Sequence, residues 1–361
     1  MVRGTGYLVA KNPNAGNLIV RSDAGRPVRV RAAGLRLFGN VTLAGADVGV
    51  QVSELEYWGD APVTIPADSR VAFTRLTVRG TRTGTFASGQ TYGFQDLIVT
   101  DDASLAVGGA TVNLTGDLTT TLTGVVRMAA GDVLNAMNVS FGGGSTAGLL
   151  TGGTLRVRGD IDQAGDPQSF APSGAHLTIL SGGGGTLTFA NPAQSGGSHF
   201  HHLSVLMSGT ASNGGALVVN GNLVIQDTAQ FAPSGIVGGS GNRITVVGSA
   251  TITQSRTAAV LTSDVLRFGG AVNRNAGAVV DGDTVEFFGT GQTVPTTLSP
   301  AFALKVTGDS VLFAGSTTWR GMLVTGNGLA DIGGATVAVD STFRTTGNGR
   351  LRMTNPAGRL S

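Results

Sequence analysis

The sequence predicts an all-β chain wound as a single-stranded parallel β-solenoid, a right-handed β-helix with about 20 residues in each rung. Three observations predict it. Glycine supplies 58 of 361 residues, and no stretch repeats apolar residues at helical spacing without a glycine interrupting it, at roughly 1 kcal/mol for each one. Short apolar runs alternate with polar residues at the two-residue period of a half-buried strand. Gly, Asn and Asp, which tolerate the positive φ of tight corners, recur between those runs.

The organising stretch is 287–353, where strands centred on Leu304 and Leu323 are followed by Val337 and Val339. Earlier segments read as worn copies of it. From the N-terminus, alternation turns Val28, Val30, Leu35 and Leu37 inward and Arg29, Arg31 and Arg36 outward. The same pattern returns at Leu155 and Val157 with Arg156 and Arg158, at Thr251–Gln254, and at Leu351 and Met353 with Arg350 and Arg352. A marker of Phe followed by Leu and Val occurs at Phe73, Leu76 and Val78, at Phe94, Leu97 and Val99, at Phe200, Leu203 and Val205, and at Phe302, Leu304 and Val306. These phenylalanines and leucines are the predicted core markers. After the last three, a second strand follows at Leu118, Leu223 and Leu323, steps of 21, 20 and 19 residues.

A rung of that size cannot bury its own inner face, so stacked neighbours must make the core. The predicted organisation is one continuous solenoid over 1–361, about 18 rungs, with divergent rungs at 1–90 and long-period repeats at 91–190, 191–290 and 291–361. Glycine runs in 141–190 predict wider loops of the same coil. Residues 4–16 (GTGYLVAKNPNAG) resemble 347–358 (GNGRLRMTNPAG), and neither copy looks like a polar cap. Uncapped rungs expose strand edges, so the expectation is either a piece of a longer array or end-to-end stacking with itself.

Composition narrows the chemistry. Twenty-four basic residues, 22 of them Arg, against 22 acidic ones leave a net charge of +2, too little to predict nucleic acid. With no cysteine there are no disulfides or thiolate metal sites. No apolar run approaches 18 residues and no leader follows Met1, so membrane insertion is not expected. All four histidines fall between His176 and His202, and His199, His201 and His202 surround Phe200; a metal site there competes with a reading as outward corner substitutions. Asp281 and Asp283, near Glu286, read as a turn, with calcium as the sharper option. Asp160 and Asp162 share a strand face and have the best spacing for acid–base work on a glycan, yet Asp160 sits at a Gly-Asp corner that turn chemistry explains. Arg29, Arg31, Arg36, Arg156, Arg158, Arg350 and Arg352 could stack into a basic face for acidic surface glycans, against an ordinary solvated face. No catalytic constellation is legible, and no cofactor is expected.

FGGGSTAGLLTGGTLRVRGDIDQ (141–163), SFAPSGAHLTIL (169–180), TFANPAQSGGSHFHHLSV (188–205) and GRLRMTNPAGRL (349–360) resemble the Gly-rich β-repeat region of very large bacterial surface or secreted proteins. The wider likeness is to filamentous-haemagglutinin-like and autotransporter-type adhesin passengers. That resemblance implies a parallel β-helix at the bacterial cell surface or outside the cell, acting as a stalk, fibre subunit or adhesive module rather than as an enzyme. It covers most of 90–361, and the N-terminal third, with Glu54, Tyr57 and Trp58, departs from it. The rival expectations are a polysaccharide-degrading enzyme on a β-helix scaffold and a phage or virus fibre segment.

Overall fold

The computed structural model describes residues 2–3, 7–10, 18–21, 28–45, 47–226, 234–238, 241–254, 259–275, 277–298 and 303–361, with backbone alone at 2–3, 7–10 and 234. The chain is an all-β parallel solenoid of about 15 turns with about 21 residues per turn. Fewer turns form than the expected 18 because some rungs carry long corners: Leu217 pairs with Ile244, and Ala211 with Ile236. The chain divides into two compact units, Met1–Leu177 and Thr178–Ser361.

In the first unit three columns of parallel strands recur in chain order. One contains Val28–Leu37, Val48–Tyr57, Val71–Val78, Asp96–Val99, Leu118–Thr121, Val139–Gly142 and Ile161–Gln163. The others are a short column from Val63–Ile65 to Val125–Arg127 and a column from Thr91–Phe94 to Thr154–Val157. Period-2 alternation makes each strand's inner residue meet its own kind in the next rung. Leu55, Leu76, Leu97, Leu118, Val139 and Ile161 therefore stack in register, all at most 1% exposed.

The second unit also has three columns, in which Gly185–Phe189, His202–Val205 and Ala216–Val219 are followed by Thr210–Asn213, Leu223–Gln226 and Arg243–Val246. Towards its C-terminus the short strands Thr293–Val294, Val311–Phe313, Leu329–Asp331 and Arg350–Arg352 alternate with Ala303–Val306, Thr317–Val324 and Thr336–Thr345, and the rungs shorten. Corners here are built on stacked glycines. A Cβ on Gly289 would overlap the carbonyl oxygen of Gly269, and one on Gly308 that of Gly289. Only hydrogen fits between those backbones.

Several sequence expectations land differently. Leu76, Leu97, Leu203 and Leu304 are at most 1% exposed, with Phe94 and Phe200 buried beside them. Phe73 is only half-buried: its strand changes face between Ala72 and Leu76, and its ring tilts against Phe94 at 5.0 Å between centroids. Leu304 pairs with Met322, while Leu323 pairs with Lys305 and is half-exposed, a one-residue slip that turns every side chain over. Leu203 and Leu304 occupy different strand columns of the second unit, so the Phe-Leu-Val marker does not return to one face. Phe302, and most of the N-terminal copy at 4–16, lie outside the described residues.

Candidate binding surface

Of the residues singled out for metal or acid chemistry, His202 and Asp160 belong to hydrogen-bond ladders that tie one rung to the next. His202 accepts the Asn222 N–H at Nδ1, 3.1 Å away. Asn222 in turn accepts the Ser249 N–H at 3.0 Å. The first unit has the same ladder: Asp96 accepts the Asp117 N–H (3.2 Å), and Asn138 accepts the Asp160 N–H (2.9 Å) while donating its amide to Asp117 (2.9 Å). His202 thus does the work that Asp and Asn do elsewhere. The His201 and His202 rings meet edge to face at 4.5 Å. His199 is buried rather than outward, with Nδ1 3.1 Å from the Gly197 carbonyl oxygen. Asp281, Asp283, Asp160 and Asp162 are exposed, and the Asp283 carboxylate stands 4.0 Å from Arg320. Among the described residues no three His, Asp or Glu side chains converge on one point, as a calcium or other metal site would need.

The seven arginines are not in register with one another in the described strands, although Arg31 also pairs with Arg3 of the strand before it. Across the rungs Arg31 faces Gln51, Arg36 faces Glu56, Arg156 faces Asn135 and Arg352 faces Asp331. Arg29 lies opposite Gly49 and donates to the Asp47 carbonyl oxygen (2.7 Å), and Arg158 donates to that of Leu114 (2.9 Å). Arg350 lies opposite Leu329. The physical reason is the ladder register: what an outward side chain meets is set some 20 residues away, where no single strand's alternation reaches.

Glu56 and Asp331 carry no signal of their own in the sequence, and Glu286 is noted there only beside Asp281 and Asp283, yet all three are buried. Glu56 (5% exposed) holds Arg36 at 2.7 Å and Arg79 at 3.3 Å, and both guanidinium groups lie over the Trp58 ring, at 4.7 and 4.1 Å. Glu286 (also 5%) repeats the arrangement in the second unit, with Arg267 at 2.9 Å, Lys305 at 3.4 Å and the Thr307 hydroxyl donating at 2.7 Å. There Arg267 lies 4.8 Å over Phe288. Glu and aromatic stand two residues apart in both, and the arginine comes one rung earlier in both. Asp331, buried too, accepts from Arg352, Thr354 and Gly333. The signal for Glu56 and Glu286 was an acid inside a largely apolar strand with a basic residue one rung away.

Burial by itself would raise the Glu286 carboxyl, but hydrogen bonds from Arg267 and Thr307 and the charges of Arg267 and Lys305 outweigh it and hold it below the ordinary glutamate range. A carboxyl lowered by folding stabilises fully above its unfolded pKa and loses that contribution as pH falls through its folded value. Glu286→Gln is therefore expected to cost about 1–2 kcal/mol at neutral pH, with the gap to the parent closing below about pH 4. Chemical denaturation across pH checks this; a gap that persists at low pH contradicts it.

Two adjoining grooves open on the first unit. One, of about 240 Å³, is lined by Arg29, Arg31, Gly49, Gln51, Arg70 and Ala72. The other, of about 260 Å³, shares Ala72 and continues over Asp68, Phe73, Tyr92, Gly93 and Phe94. Asp68 and Arg70 clasp between them, with Arg70 Nε 2.8 Å from Oδ1. The Tyr92 hydroxyl is fixed by accepting the Ala87 N–H (2.9 Å) and donating to the Ile65 carbonyl oxygen (3.0 Å). Comparison with protein-family models, with curated proteins and with solved structures returned no match for this chain.

Proposed function

We propose that the chain is an extracellular structural or adhesive module, a stiff β-helical scaffold at the bacterial cell surface that serves as stalk or fibre segment. The observation that carries this reading is where the polar side chains go. The corner ladders at Asp96–Asp160 and His202–Ser249, and the buried carboxylates Glu56, Glu286 and Asp331, all bind one rung to the next. Repeats whose neighbours are cross-tied in this way resist deformation along the stack, as a spacer must. Binding would then be multivalent, many modest contacts spread over a rigid face.

Electron microscopy across a concentration series, with solution mass, tests it. Elongated particles, or filaments joined end to end, are expected, and compact globular particles overturn the reading. Incubation with a panel of polysaccharides tests the enzyme rival. No release of reducing sugar is expected; release that the double variant Asp160→Asn/Asp162→Asn abolishes would overturn the scaffold reading as well.

A further inference from the structure

We infer that the two adjoining grooves of the first unit form one site for an anionic polysaccharide, a chain of uronate-type sugars lying across the strands Val28–Leu37, Val48–Tyr57 and Val71–Val78. The inference rests on the adhesive reading and names the ligand class. Arg29 and Arg31 project on the same outward face of one strand, and both are exposed. Opposite Arg29 stands Gly49, where even a Cβ would press on the Arg29 side chain at 3.3 Å, so backbone floors the groove. Arg70 is held by Asp68 and by the Gly45 carbonyl oxygen at 2.6 Å, a clasp that sets one wall. Arginine's planar fork matches a carboxylate with two parallel hydrogen bonds, stronger than neutral pairs.

The second groove supplies what a sugar ring needs. Phe73 is half-buried where the sequence predicts a core residue, and its ring stands over a groove that bare Gly93 leaves open, with nothing within 4 Å of where a Cβ would be. A pyranose can lay its C–H face on that ring while the Asp68 carboxylate accepts its hydroxyls. The Asp68 carboxylate, paired with Arg70, borders the arginines and disfavours a phosphate-dense polymer, whereas a uronate chain brings one charge per residue and hydroxyls between.

Isothermal titration of the full chain with hexagalacturonate, and with neutral cellohexaose as control, tests the site. Binding of the acidic sugar is expected, weakening between about 50 and about 300 mM salt, with no binding of the neutral one. Arg31→Ala and Phe73→Ala should each lower affinity about tenfold or more, while Arg156→Ala, on another strand column, leaves it unchanged. Ala72→Glu, on the exposed shared floor, should abolish binding with unfolding unaltered, and keeps the test open should Phe73→Ala unfold the rung. Failure to bind hexagalacturonate, equal binding of cellohexaose, or affinity that survives Arg31→Ala and Ala72→Glu overturns the inference. Elongated particles that do not bind the sugar defeat the groove alone; compact particles defeat the scaffold reading whatever the groove does.

Discussion

Gly289→Val is expected to destabilise the second unit by about 3 kcal/mol or more, among the largest effects of any surface-corner change in this chain. The position is half-buried, and its backbone lies directly over Gly269 with Gly308 above it in the same fashion. A Cβ there meets a carbonyl oxygen, which cannot rotate away as a side chain could. The corner is also tied from inside. Buried Gln292 accepts the Gly289 N–H at 2.7 Å and donates to the Phe268 and Gly270 carbonyl oxygens at 3.0 and 2.8 Å. Moving Gly289 to relieve the overlap would strain or break those bonds, and an unsatisfied buried amide adds its own cost. Gly215→Ala is the control: a Cβ there meets nothing within 4 Å, and a change within about 0.5 kcal/mol is expected. Denaturant unfolding of both variants decides it, and similar midpoints for the two would contradict the stacked-corner account.

Trp319→Ala is expected to cost about 3–5 kcal/mol, from lost burial and from a cavity the neighbouring backbones are too regular to fill. Among the described residues Trp319 is the largest fully buried side chain, 1% exposed, with its indole N–H donated to the Thr317 hydroxyl at 3.0 Å. It also precedes a bulge: Trp319 pairs with Val339, whereas Gly321 pairs with Thr342. Because repeat stability is built from neighbour contacts, the loss should be local. Hydrogen exchange should show the amides of Thr317–Val324 and Thr336–Thr345 losing protection while those of His202–Val205 keep theirs. Uniform loss along the chain would mean the unit unfolds as a single cooperative block.

The fold was legible in the sequence to the extent that each strand announces its own inner face. Leu76, Leu97 and Leu118 stack as their 21-residue spacing implies, because alternation and corner glycines are local signals. Register near the C-terminus was harder. Met322 and Leu323 are adjacent and both apolar, and only the bulge after Trp319 decides which turns inward. Phe73 and Phe94 share a sequence marker yet sit in different strand columns, since the marker records composition and not position around the coil. The outer surface was the least legible. Arg36 looked like one tooth of a basic stripe, but its partner Glu56 lies a full rung later and is nearly invisible to solvent. The partners of Glu286 and Asp331 were hidden for the same reason, because pairing across rungs is a property of the stack.

The corner ladders also have a sense of direction. At Asp96, Asn138, His202 and Asn222 the side chain of the earlier rung is the acceptor, and the donor is a backbone N–H of the rung that follows. A chain emerging from the ribosome presents the acceptors first. At these corners every completed rung offers its successor a docking point before that successor exists, so the coil can be laid down like courses of brick, from the N-terminal side onward.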